Sequence, residues 1–393
     1  MKKVCVVTAT RAEYGLLYPI LKLIEKDTEL ELQLIVSGTH LSKKYGYTKN
    51  EIIQDGFSIA AEIDILDDVE DECAVSKAMG NVLIQFSQFI AQNRPDIAII
   101  LGDRYEMMAF ATVFVNAKIP IVHLNGGETT EGLLDETYRH CITKMSMYHF
   151  VNCEVHRKRV IQLGENPSRV FNVGDTCVDN ILNQKYMTKE KLKIKLNLEK
   201  FPENLAIVTY HPVTLEENSI EQFQKLLDVL EKHGEYFYLF TKANADYQGD
   251  KLNQLLEERT KNWDNAKLVD SMGREYYISA LKYASIMIGN SSSGLYEAPV
   301  FKIPTINIGN RQKGRVHGNT VIDCKADREE ISKAILTAQS ERFQNQCKAS
   351  KNIFGEGHAS EQIINSIKKE LKEKINLEKK FYDINFVEEG EKV

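Results

Sequence analysis

Residues 97–140 read IAIILGDRYEMMAFATVFVNAKIPIVHLNGGETTEGLLDETYRH. An apolar run, Ile97 to Leu101, is followed by a segment of helical period and then by a second apolar run, IPIVHL. Strand, helix and strand in this order form the unit of a parallel sheet. Each run also ends in acids: Asp103 follows the first, Glu128 and Asp135 the second. Ligands of open α/β sheets lie beyond the carboxyl ends of the strands, so these carboxylates are placed to act on a bound molecule.

Outward from this stretch the alternation continues. The spacing predicts strands near 3–8, 31–36, 97–101, 119–124, 148–152 and 170–173, and helices over 14–25, 73–93 and 104–116. A polar, lysine-rich segment at 175–203 breaks the pattern. Strands are expected again near 205–210, 236–241, 266–269, 285–288 and 304–308, with helices over 219–232, 249–259, 274–283 and 327–338. The chain reads as α/β, two doubly wound Rossmann-like domains facing a cleft: 1–175 with the acid/base residues, 176–365, and a helix end and tail at 366–393. A helical run from Glu361 to Lys374 precedes FYDINF, and terminal helices often dock back on the body of a protein.

With 393 residues, 43% hydrophobic and 27% charged, the chain has the composition of a globular enzyme. A net charge of −6 without a basic stripe argues against nucleic acid. No apolar run reaches the roughly 18 residues of a membrane span, and MKKVCVVTA runs into a strand without a cleavage pattern. A cytoplasmic location is expected. The seven cysteines and nine histidines show no metal-ligand spacing, so reduced, mostly buried thiols and no metal are expected.

Several loops are equipped for a nucleotide. VVTATRAEYG places Arg11 at a helix start, where backbone N–H groups favour an anion; a surface arginine is the plain alternative. No GxGxxG or GxxxxGK[ST] is present, which speaks against a dinucleotide or P-loop nucleotide. In IMIGNSSSGLYEAP a strand stops at Gly289, and Ser291, Ser292, Ser293 and Gly294 precede a helix able to wrap a phosphate. Glu297, a turn later, can accept from ribose hydroxyls. NIGNRQKGRVHGN adds Arg311, Lys313 and Arg315, either a diphosphate clamp or a solvated surface. His211 ends the run LAIVTY, and Asn244 and Asp246 follow the next strand.

TATRAEYGLL, VSGTH, GDRYE, HLNGGE, DETYRHCITKMS, RVIQLGE, HPVT, GNSSSGLYEAP and GNRQKGR occur in the order found in hydrolysing UDP-N-acetylglucosamine 2-epimerases of sialic-acid biosynthesis, which the chain resembles over residues 3 to 320. More distantly it resembles the non-hydrolysing 2-epimerases. The resemblance implies a glycosyltransferase-B fold with the sugar nucleotide in the interdomain cleft, and a homodimer or homotetramer. Asp103, Glu128 and Asp135 match the family's catalytic carboxylates and His211 its active-site histidine. Arg11, Asn244, the serine loop through Gly294, Glu297 and Arg311 fall at UDP positions, and His40, Asn125 and Arg139 at sugar positions.

The implied reaction takes UDP-N-acetylglucosamine and water to N-acetylmannosamine and UDP through 2-acetamidoglucal, with no cofactor. Which carboxylate is acid and which is base stays open, as does a structural role for Asp103 or Asp135 through Arg104, Arg139 or a helix cap. Two departures fall where the sugar should lie: Asn125 replaces the Glu or His of many relatives, and TTEGLLDE is one residue longer than in animal-like enzymes. Both resemble relatives of the legionaminic-acid pathway, so UDP-N,N′-diacetylbacillosamine is the alternative substrate. A glycosyltransferase and a non-catalytic sugar-nucleotide sensor are the competing readings.

Overall fold

The computed structural model describes residues 1–66, 73–130, 134–213, 218–243, 249–269 and 272–385. The chain divides into two compact units, Met1–Asn180 with Phe354–Val393, and Ile181–Ile353.

Among the described residues of the first unit, seven parallel strands pair in the order β3-β2-β1-β4-β5-β6-β7. They are β1 (Lys2–Thr8), β2 (Leu30–Ser37), β3 (Ile59–Ile63), β4 (Ile97–Leu101), β5 (Ile121–Leu124), β6 (Tyr148–Val151) and β7 (Val170–Asn172). A sheet buried on both faces needs apolar residues at every position. Accordingly Val4 and Val6 pack with Leu17, Ile20 and Ile24 of the helix Arg11–Lys26. Their neighbours Cys5 and Val7 meet Val82 and Phe86 of the helix Ala74–Gln92 and Phe110 and Phe114 of Tyr105–Asn116 on the other face.

The second unit repeats the plan in the order β10-β9-β8-β11-β12-β13. Its strands are β8 (Leu205–Thr209), β9 (Phe237–Thr241), β10 (Ala266–Val269), β11 (Ile286–Gly289), β12 (Thr305–Ile308) and β13 (Val321–Cys324). In each sheet the strand order reverses once, between β1 and β4 and between β8 and β11. These reversals are where such folds bind ligands.

Three expectations are corrected here. The edge strands β3 and β13 were not anticipated, because IAAEI and VIDC alternate in exposure and lack a continuous β-branched run. Residues 354–365, expected with the second domain, belong to the first unit. The helix Ala359–Glu370 buries Ile363, Ile364 and Ile367 in the cluster beneath β1, and the Asp179 carboxylate accepts from the N–H groups of Ala359 (3.0 Å) and Ser360 (2.6 Å) at its start. All seven cysteines are thiols; Cys5, Cys153 and Cys347 are buried, Cys141, Cys177 and Cys324 half-buried and Cys73 exposed, so fewer than half are fully buried. No helix among the described residues is long and apolar enough to cross a membrane.

Candidate active site

Two of the three predicted carboxylates, Asp103 and Asp135, lie about one arginine, which binds the third residue, Glu128, by its backbone carbonyl. Arg139, in the helix Leu134–Met145, is the largest fully buried side chain of the described residues. Its Nη2 donates to the Asp103 carboxylate and to Thr130 Oγ1 (3.1 Å), its Nη1 to Glu136 Oε2 (2.8 Å) and to the carbonyl of Glu128 (3.0 Å). Asp103 therefore takes the Arg139 alternative, while Arg104 pairs with Glu106. Gly102, ahead of Asp103, is fixed by His123, whose Nε2 donates to its carbonyl at 2.8 Å. Burial pushes the His123 pKa down to about 3, so this ring is neutral.

Asp135, one residue before Glu136, has its pKa raised by burial and by the charge of Asp103. Burial also acts to raise Glu136, but the Thr130 N–H, His140 and Arg139 outweigh it and hold Glu136 below its ordinary value. Two adjacent carboxyls on one helix thus differ in their hold on a proton, the division of labour that acid/base chemistry needs.

Glu128 is held from the next strand end. Asn152, directly after β6, donates from Nδ2 to Glu128 Oε1 at 2.7 Å. The turn into Glu128 requires glycine at 127: its φ is +83°, and an added Cβ would lie 2.5 Å from the carbonyl of His156.

Other predicted sugar and UDP positions are less open than expected. His40 is fully buried, with Nε2 3.0 Å from Thr8 Oγ1 and Nδ1 2.7 Å from Thr48 Oγ1, so both ring nitrogens are engaged. Arg139 has its Nη donors committed to protein acceptors. Asn125 adopts φ +60°, a conformation asparagine tolerates, and turns its amide to Asp175 at 3.4 Å. Arg11 is exposed and paired with Glu51 at 3.1 Å. Asn244 and Asp246 lie outside the described residues, as do residues 131–133 of the lengthened loop.

In the second unit, Asn290 joins the two strands at the reversal. Its Oδ1 accepts from the N–H of His211 (2.7 Å) and its Nδ2 donates to the His211 carbonyl (2.8 Å). Gly289 is obligatory before it, since with φ +136° a Cβ would sit 1.9 Å from the carbonyl of Thr209. The carbonyl of Asn290 accepts from Arg311 Nη1 (3.2 Å) and Gln312 Nε2 (2.8 Å), which ties the arginine loop to the serine loop.

The helix expected after the serines is a single turn, Ser293–Tyr296, followed by the tighter turn Ala298–Phe301, where Pro299 cannot continue an α-helical ladder. Ser293 Oγ donates to the Glu297 carboxylate and lies 2.7 Å from Tyr277 Oη. Burial raises the pKa of Glu297. His211, Ser291, Ser293 and Glu297 line one cavity of about 410 Å³ with Thr209, Thr241, Lys242, Arg274 and Tyr277. Ser292 and Gly294 belong to the same turn without lining it.

Residues 22–368 match the family model for UDP-N-acetylglucosamine 2-epimerase. The chain belongs to this family. A GDP/UDP-N,N′-diacetylbacillosamine 2-epimerase (hydrolyzing) of Campylobacter jejuni is 42% identical over 87% of this chain and 88% of its own. Polysialic acid biosynthesis protein P7 of Escherichia coli is 36% identical over 98% of each. The crystal structure of a UDP-GlcNAc 2-epimerase from Neisseria meningitidis bound to UDP-GlcNAc superposes with a TM-score of 0.79 at 16% identity, covering 93% of this chain and 100% of that one. The two doubly wound units are thus of the glycosyltransferase-B type, and this 2-epimerase family member is an enzyme.

Sequence reasoning missed Glu136, Asn152 and Asp175 in the first unit and Asn290, Thr209 and Tyr277 in the second. Asn152 and Asp175 stand just past β6 and β7, so the strand-end rule that selected Asp103 could have found them. Glu136 lies three residues before Arg139, the spacing of a helical ion pair. Among the described residues no group of three His, Cys, Asp or Glu side chains is placed to hold a metal.

Proposed function

We propose that this chain is a hydrolysing 2-epimerase that converts UDP-N-acetylglucosamine and water into N-acetylmannosamine and UDP. The observation that carries this reading is the placing of Asp103 and Asp135 about Arg139, which also binds the backbone carbonyl of Glu128, since nucleotide binding alone has no use for three such acids.

The C2 proton of the substrate is not acidic, because no carbonyl adjoins that carbon. Departure of UDP must first leave cationic character at C1, and the C1–O bond pair goes to the diphosphate. His211, the serine loop and Arg311 supply donors for that growing charge. A carboxylate then takes the C2 proton and 2-acetamidoglucal forms. Glu128, held by a neutral amide donor, suits the base. Burial and the charge of Asp103 raise the Asp135 pKa, which suits delivery of a proton to the opposite face of C2. The hydroxyl of water adds at C1 and its proton goes to the Asp135 carboxylate, while Glu128 releases the C2 proton to solvent, which restores both groups and balances the equation.

A second reading keeps the mechanism and takes UDP-N,N′-diacetylbacillosamine. It is favoured by the 42% identical relative of that name and by Asn125. With either sugar the product suits synthesis of a sialic- or legionaminic-type acid, in the cytoplasm and by a homo-oligomer. Incubation of each nucleotide sugar in deuterium oxide tests both readings: free UDP and a 2-inverted sugar carrying deuterium at C2 are expected. A sugar returned on UDP would point to a non-hydrolysing enzyme, and turnover of neither nucleotide would sink the proposal.

A further inference from the structure

Asn152 is fully buried and touches two carboxylates at once. Its Nδ2 donates to Glu128 Oε1 at 2.7 Å and to Asp175 Oδ2 at 3.0 Å, and its Oδ1 accepts from His156 Nδ1 at 2.5 Å. The third bond fixes which way the amide points. His156 is buried and neutral, its pKa pushed down to about 4 chiefly by burial, so it offers one N–H, here to a carbonyl oxygen. The flipped amide would set that oxygen against two carboxylates.

Asp175 is itself anchored. Its Oδ1 accepts from the N–H of Cys177 at 2.8 Å, its Oδ2 also from the amide of Asn125, and it is only 4% exposed. A run of hydrogen bonds through Asn125, Asp175, His156 and Asn152 therefore ends, at Asn152, on one oxygen of Glu128. Neither Asn152 nor Asp175 belongs to the motifs that bind UDP.

We propose that Asn152 is a positioning residue for Glu128, aiming that carboxylate at C2 of the sugar, and that Asp175 holds the amide in place and keeps Glu128 basic. This rests on reading Glu128 as the base. Burial and the charge of Asp179 raise the Asp175 pKa against the donors of Cys177, Asn152 and Asn125; in its ionised form Asp175 acts on Glu128 with the sign opposite to that of the amide. A donated hydrogen bond favours the charged form and lowers the pKa, whereas a neighbouring anion raises it. Glu128 is faced as well by the Cys153 thiol, while Arg139 binds its backbone carbonyl and Arg159 the carbonyl of Gly127. The substitutions below leave these in place.

The test compares Asn152→Ala and Asp175→Asn with the wild type through UDP release across pH, with calorimetric UDP binding as a control that each variant is folded. For Asn152→Ala, kcat should fall about 100-fold with KM within about threefold, because a misaimed base loses rate rather than binding. Its acidic limb of kcat/KM should move to higher pH, and that of Asp175→Asn to lower pH, each by about half a pH unit or more. Loosened packing has no reason to move the two limbs apart. Limbs that stay put, or move together, overturn the proposal. Should Asn152→Ala fail to bind UDP, the nearly isosteric Asp175→Asn decides alone by the same displacement of its limb. A wild type inert towards both nucleotides overturns the reading of Glu128 as base and this proposal with it; an active wild type with unmoved limbs overturns only the positioning role.

Discussion

Arg139, 1% exposed, donates a hydrogen bond to the carboxylate of Asp103, which is drawn from a strand end 36 residues earlier in the chain. One guanidinium thereby links β4, the loop after β5 and the helix Leu134–Met145. Removing a buried charge strands its partners, and Asp103 and Glu136 are each more than a quarter exposed, which softens the penalty. Arg139→Met is expected to cost about 2 kcal/mol in urea unfolding and to abolish turnover. Arg139→Lys keeps the charge but not the fork, so it should fold nearly normally and still lose about 100-fold in kcat.

The doubly wound plan was legible because parallel strands buried on both faces leave continuous β-branched runs such as CVVT and IAIIL. Edge strands leave no such mark, and β3 and β13 were passed over. The carboxylates are legible from their place after strands, but sequence cannot show that the four Nη donors of Arg139, a residue expected at the sugar, meet protein acceptors. The surroundings of His40 are hidden in the same way: its partners Thr8 and Thr48 come from different elements, and only the fold brings them together. The Phe354–Glu370 return to the first unit depends on Asp179, a contact across 180 residues that no local pattern encodes.

Three buried histidines predict an acid-sensitive fold. Burial lowers the pKa of His40 to about 4, of His123 to about 3 and of His156 to about 4, from an ordinary 6.5. The unfolded chain takes up these protons below about pH 6.5 while the folded one does not. Their contribution to stability is therefore complete above that pH and is lost as pH falls towards 4 to 3, each ring costing about 1.4 kcal/mol for every pH unit crossed in that window. Unfolding free energy measured by urea should decline steeply over this window, and His123→Asn should flatten the slope. An unchanged slope in the variant would remove His123 from this account.

The C-terminal strap offers a local test. Glu165 accepts from His149 (2.9 Å), Lys144 (2.6 Å) and Lys379 (2.7 Å), and these partners outweigh burial and hold its pKa down to about 2. Lys379 is bound besides by the carbonyls of Lys144 and Ser146, and Phe381 lies against Gly164. Glu165→Ala leaves cations without their counter-charge, so it should cost about 2–3 kcal/mol. Hydrogen exchange should rise first at residues 377–382, well before the sheet. Protection there equal to wild type would show that the backbone contacts suffice.

Glu297 predicts how UDP affinity depends on pH. Its carboxylate accepts from Ser293 in the cavity shared with Thr209, Tyr277 and His211, and burial raises its pKa above 4.5. An ionised carboxylate is the stronger acceptor for a ribose hydroxyl, and protonation turns one acceptor oxygen into a donor. Glu297→Gln should therefore weaken UDP about tenfold near neutral pH, the usual worth of a hydrogen bond to a charged group. As pH falls through the raised pKa, wild-type affinity should approach that of the variant, while the titration of UDP itself affects both alike. Calorimetry at pH 7.5 and at pH 5 measures the ratio. A ratio near one at both values would mean that Glu297 braces Ser293 and the turn without meeting the nucleotide.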